Sequence, residues 1–185
     1  MLRTAAFFTL TAAATTLAQP AITIDVENPV LRPGESTVVT MYAGFSPELL
    51  SMAGIGTDFR SSEGGRGLSG AEIIAPMDGP GAQVGTLSAT GYDGILAGQI
   101  EFLSIPSDRT NPIAFWRVTY TAPAEVSSPF EVELSTLTSR YDVYRVPASI
   151  ATRSELADLT EGSATIHVIP APASTLVLAC GLLAT

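Results

Sequence analysis

The sequence predicts an all-β fold, a single β-sandwich of the jelly-roll type with about nine strands. Short runs rich in Val, Ile, Thr and aromatic residues recur along the middle of the chain. Gly and Pro clusters punctuate them at spacings of roughly 8–12 residues, the rhythm of sandwiches and barrels. The clearest runs alternate apolar and polar residues, which a strand with one buried face requires.

Taken in order, Ala21 to Val26 alternates, with Ile22, Ile24 and Val26 opposed to Thr23 and Asp25. Asn28-Pro29 and Arg32-Pro33-Gly34 are turn sequences, and Ser36 to Ala43 is a Val/Thr-rich strand. Met52 to Phe59 follows, then a Gly-rich loop over Glu63 to Gly70 and a short apolar run, Ala71 to Ala75. Met77-Asp78-Gly79-Pro80-Gly81 reads as a turn, Gln83 to Ser88 as a strand, and Tyr92-Asp93-Gly94 as a hairpin turn into Ile95 to Leu103. Ile113 to Thr121 is the strongest strand: Trp116, Val118 and Tyr120 are expected on one face, Phe115, Arg117 and Thr119 on the other. Phe130 to Ser135, Arg140 to Val146 and Ser163 to Ile169 complete the set, and Ser154 to Leu159 alone reads as helical.

The two ends are different. Met1-Leu2-Arg3 is a short positive start, Ala5 to Leu17 is uncharged and apolar, and Thr16-Leu17-Ala18 places small residues before Gln19. This is the three-part layout of a secretory signal peptide over residues 1–18, cut between Ala18 and Gln19. At the other end, residues 170–185 join Pro170-Ala171-Pro172 to an apolar run that includes the single cysteine, Cys180. The expected organisation is a leader (1–18), one sandwich domain (19–169) and an apolar tail (170–185), with hydrophobic helical segments at both ends. The domain has no cysteine, so packing rather than disulfides must stabilise it.

The charge is strongly one-sided: 18 acidic residues against nine arginines and no lysine. Arg3 lies in the leader, so the domain carries eight bases and 18 acids, a net −10. Such a surface repels phosphate backbones, which excludes nucleic acid as a partner.

Pro170-Ala171-Pro172 followed by an apolar stretch resembles the PEP-CTERM sorting tail of bacterial exported proteins. Ala171 stands where that family usually has Glu, and the terminal Arg-rich cluster is missing. The resemblance implies export through the secretion machinery and membrane retention through the tail. It also implies cutting by a membrane-embedded sorting protease, leaving the domain at the cell envelope, the outer surface or the extracellular space. Pro33-Gly34-Glu35 with the Ser36–Tyr42 strand, and the later Ile113–Tyr120 strand, resemble cohesin-like sandwiches. That resemblance implies a nine-stranded jelly roll that binds a protein or glycan at cell surfaces.

Catalytic and metal patterns are sparse. His167, the only histidine, sits in an alternating strand and reads as a sheet-surface side chain. No Gly-x-Ser-x-Gly elbow is present, and Gly64-Gly65-Arg66-Gly67 lacks the Lys-Ser/Thr ending of a phosphate loop. Asp78 and Asp93 sit in turn sequences and are the nearest to calcium ligands, but no Asp-x-Asp-x-Asp loop supports them, and no cofactor is predicted. Tyr141 and Tyr144, flanked by Arg140 and Arg145, are the residues expected to present exposed aromatics to a ligand. The reading is a non-catalytic exported binding protein. Its alternatives are a structural matrix component without a discrete ligand and a secreted hydrolase using dispersed acids.

Overall fold

The computed structural model describes residues 19–171. The leader, Pro172 and the apolar tail, with the helical segments expected there, lie outside the described residues. Eleven strands form: β1 (Ala21–Val26), β2 (Val30–Leu31), β3 (Ser36–Gly44), β4 (Ser51–Ser61), β5 (Leu68–Ile73), β6 (Thr86–Ser88), β7 (Gly91–Gly98), β8 (Ile113–Thr121), β9 (Phe130–Tyr144), β10 (Thr152–Ser154) and β11 (Ser163–Val168). A single 3₁₀ turn, Leu156–Asp158, is the only helix among the described residues, where Ser154 to Leu159 reads as helical.

The strands make an all-β sandwich. One sheet has the order β1-β3-β8-β5; the other runs β2-β11-β9-β4-β7-β6, with β10 on the end of β9. All pairings between strands are antiparallel except β2 with β11. The strand number exceeds the expected nine because two short strands that no sequence run announces, β2 and β10, join the set, while the expected Gln83–Ser88 strand is β6 shortened to Thr86–Ser88.

Irregularities in register account for the other departures. Met41 pairs Trp116 and Tyr42 pairs Ala114, which leaves Phe115 as an extra residue in β8. A bulge of this kind reverses the alternation. Ile113 and Phe115 before it, and Trp116, Val118 and Tyr120 after it, are therefore all buried, so Phe115 is a core residue rather than an outward one. The segments Phe130–Ser135 and Arg140–Val146 are one 15-residue strand, β9, not two. Tyr92-Asp93-Gly94 is not a hairpin turn but part of β7, where Asp93 and Gly94 stand as a bulge between pairs Phe59–Tyr92 and Thr57–Ile95. The turn falls at Ala89-Thr90 instead.

The core lies between the sheets around Trp116, which packs on Phe59 at a centroid distance of 5.1 Å and edge-on to Tyr92 at 5.4 Å. Its indole N–H donates to the Val84 carbonyl (3.1 Å), so burial leaves no unpaired donor.

Candidate binding face

The outer face of β9-β4-β7 is shaped by two glycines in the central strand. Ile55, Thr57 and Phe59 of β4 point into the core, so Gly54, Gly56, Asp58 and Arg60 alternate to the outer face, the two glycines buried beneath neighbouring side chains. A side chain on Gly56 would meet Arg140, Ser139 and Leu96 atoms, each at 3.2 Å; one on Gly54 would meet the Arg140 guanidinium at 3.5 Å. The missing side chain at Gly54 leaves a trough lined by Arg140 of β9 and Leu96 of β7, and the same two side chains cover Gly56. With Pro80–Ala82 and Gly98 at its rim, the concavity measures about 270 Å³.

A second bulge aims Arg140. Gly56 pairs Arg140 and Thr57 pairs Thr138, leaving Ser139 extra in β9, its hydroxyl donating to the Gly56 carbonyl (3.2 Å). Before Ser139 the inward residues are Val132, Leu134 and Thr136; after it they are Tyr141 and Val143. Arg140 and Asp142 therefore project outward together, with the Arg140 Nε–H donating to Asp142 Oδ2 at 2.7 Å. Toward the other end of the face, Arg60 pairs with Asp58 (2.5 Å) and with Asp93, and Asp58 also accepts the Gly94 N–H (2.8 Å). Leu137 lies opposite Asp58 and is exposed. The result is a surface of alternating charges with two leucines and a glycine-floored trough.

The same bulge turns Tyr141 inward, and neither tyrosine is exposed as expected. Tyr141 is fully buried, and its hydroxyl donates toward the carbonyls of Gly44 (2.9 Å) and Ala21 (3.1 Å). Burial, reinforced by the charges of Glu155 and Glu161, pushes its phenol far above the ordinary tyrosine value. Tyr144 is covered by the segment after β7: its hydroxyl donates to the Gln99 carbonyl (3.1 Å) and accepts the Glu101 N–H (3.3 Å). Both tyrosines are struts. Arg140 reaches the face; Arg145 is exposed on the loop that follows β9.

The aspartates do not converge. Asp78 is exposed on a turn beside Gly98, and Asp93 sits toward the other end of β7, paired with Arg60. Among the described residues no three His, Cys, Asp or Glu side chains gather as a metal site. His167 lies on the surface of β11, its Nδ1 3.2 Å from Glu131 Oε1, as alternation predicts. Gln19, Pro170 and Ala171 bound the described residues; Ala18 and Pro172 lie outside them.

Sequence reasoning missed Gly54, Gly56, Asp58, Arg60 and Leu96. The available signal was Gly54-Ile55-Gly56: alternating glycines inside a strand mark a close approach of other groups.

No protein-family model matches the chain, and no curated protein matches it. Solved structures do match. The seventh ScaB type I cohesin of Pseudobacteroides cellulosolvens aligns at 14% identity over 84% of this chain and 95% of its own, with a TM-score of 0.55. The cohesin module of a family 33 glycoside hydrolase from Clostridium perfringens ATCC13124 aligns at 11% identity over 83% and 98%, with a TM-score of 0.51. At these identities the likeness is one of fold, and the fold of this chain is cohesin-like.

Proposed function

We propose that the domain is a non-catalytic module that binds a protein partner through the outer face of β9-β4-β7. The observation that carries this is the Gly54-floored trough with Arg140 at its edge. A glycine-cleared concavity beside an arginine suits a projecting partner side chain, and arginine is favoured at interface hot spots. The face has charge of both signs and two exposed leucines, but no aromatic, which favours a protein over a glycan that would stack on one. The two fully buried carboxylates, Glu101 and Glu155, are engaged by donors from their own surroundings, so a hydrolase reading gains no support from them. The mixed charges set register with the partner more than they add affinity.

We further propose that the chain is exported through its leader and retained and trimmed through its Pro170-Ala171-Pro172 tail, so that the module works at the cell surface or outside it. The residue patterns at the two ends support this reading, and the intact mass of the native protein in separated cell fractions tests it. A start at Gln19 and a loss near Pro170–Ala173 are expected; an uncut leader in the cytoplasm overturns it.

A photo-crosslinking residue in the full chain tests the face itself. Placed at Leu96 it should form a protein adduct that is lost when Gly54→Trp fills the trough; placed at Thr40, on the outer side of the other sheet, it should not. Equal adducts from both positions, or none from Leu96, refute the face.

A further inference from the structure

Five exposed apolar side chains of the described residues gather on two loops, the first of which starts beside the trough at Gln99 and Ile100. Phe102, Leu103 and Ile105 project from the β7–β8 loop, and Val146 and Ile150 from the β9–β10 loop; Leu103 is 95% and Ile150 81% exposed. Monomeric soluble proteins rarely leave such a cluster bare without a use for it. Nor are these loops slack. Phe102 and Ile105 exchange backbone hydrogen bonds (2.9 and 3.1 Å), making a tight turn with Leu103 at its crown. Beneath it the buried Glu101 carboxylate accepts from Ser107 (2.7 Å) and Arg109 (2.9 Å) of the same loop and from the Ala148 N–H (2.9 Å) of the other, joining the two. Gln99 clamps the far side through both the N–H and the carbonyl of Asp108 (2.7 and 2.9 Å).

From this we infer that the two-loop tip is a membrane-contact element that inserts its apolar crown into the interfacial region of a lipid bilayer, independently of the protein-binding face. Three features select a lipid surface as the occupant. The tip is convex, a projecting turn rather than a groove. Its backbone is satisfied in part: Phe102 and Ile105 pair with each other, the Ala148 N–H is bonded to Glu101, and Pro106 and Pro147 have no N–H, which lowers the cost of a medium without water. Its charge differs from the rest: the two loops carry Glu101 and Asp108 against Arg109 and Arg145, a net of zero, in a chain whose formal charge is −9. The tip is thus the part of an acidic domain that can approach a membrane without electrostatic cost, and apolar burial would drive the contact. Preformed loops lose little conformational entropy on insertion.

The test places an environment-sensitive fluorescent amino acid at position 103 of the full chain, with position 137 as the control, and adds phosphatidylcholine vesicles with and without a lipid-borne quencher. This local readout is blind to anchoring by the C-terminal tail. The expected result is a blue shift and quenching at 103 and neither at 137, insensitive to added salt. Ile105→Asp should weaken the vesicle-dependent signal about tenfold or more, the worth of one buried aliphatic side chain. No change at 103 on adding vesicles overturns the inference. A blue shift that needs no vesicles and grows with protein concentration also overturns it and makes the occupant a second copy of the chain.

Discussion

The two ends of the sandwich are closed by different chemistry. At the end where β7 begins and β8 finishes, backbone meets backbone. Ser61 N–H donates to Thr90 O, Ser62 N–H to Glu133 O, Thr121 N–H to Gly67 O, and Gly34 N–H to Pro123 O. Glycines make these contacts possible: Gly91 has φ +135°, and a Cβ there would lie 2.1 Å from the Phe59 carbonyl oxygen. At the other end, side chains replace the backbone ladder. Glu101, Gln99, Asn111, Tyr141, Tyr144 and Glu155 each bond groups distant in sequence, from Tyr141 to Ala21 and from Glu155 to Ser46. Backbone closure makes compact turns with little to offer a partner. Side-chain closure holds long loops in place while leaving their crowns free, which is what a contact surface needs.

The sharpest way to break that contrast is Glu101→Ala. It removes one buried carboxylate, strands Arg109 and the Ala148 N–H and leaves Ser107 only Ser51, so we expect a loss of about 3 kcal/mol in urea unfolding, with the loops at 99–112 and 145–151 gaining hydrogen exchange together. Gly91→Ala attacks the opposite end: a positive φ and a backbone collision should cost about 2 kcal/mol, with exchange rising at Ser61 and leaving the Glu101 loops protected. If either substitution loosens both ends equally, the two closures are one cooperative unit and the contrast fails.

Acid should separate the ends without mutation. Burial by itself would raise the Glu101 pKa, but the Ala148 N–H, the Ser107 hydroxyl and Arg109 outweigh it and hold the group below the ordinary glutamate value. A carboxylate with a depressed folded pKa contributes stability that is complete above its unfolded value, about 4.3, and lost as pH falls through the folded one. Stability should therefore be level near neutrality and fall below about pH 4. Glu101→Gln should flatten part of that fall; a curve parallel to the wild type would assign the acid sensitivity to other carboxylates, such as Asp108, whose bonds to the Thr110 hydroxyl and N–H depress it likewise.

Smaller effects refine the picture. Tyr141→Phe removes one buried hydroxyl from the Gly44 and Ala21 carbonyls and should cost about 1 kcal/mol, read as a shift in urea midpoint at constant slope. Arg60→Ala removes a partly exposed pair with Asp58 and Asp93 and should leave stability nearly unchanged, within about 0.5 kcal/mol, while altering partner binding if the face is used as proposed.

Much of the fold was legible because alternation is a local property. β1, β3 and β11 show it in their own residues, as does β8 apart from its bulge at Phe115, and Asn28-Pro29, Pro33-Gly34 and the 3₁₀ turn after Ser154 mark their own boundaries. The candidate site was only partly legible. Arg140 stood among the residues singled out, but beside the wrong companions, since Tyr141 turns inward and Tyr144 is covered by the segment after β7. The bulge at Ser139 makes that difference, and Ser139 has no feature of its own that announces a bulge; it forms because two strands of fixed register must both face the core.

Composition and pattern by themselves determined an acidic all-β sandwich closed by Gly/Pro turns, free of cysteine, and without the spacing of a nucleophile or metal centre. These are short-range facts, fixed by side-chain period, backbone freedom and charge count. Tertiary structure alone decided which side of each strand meets water once a bulge intervenes. It also decided where Gly54 becomes the floor of a trough, and how Glu101 finds donors from Ser107 to Ala148. Each depends on register between strands remote in sequence, and a one-residue shift in register exchanges the buried face for the exposed one.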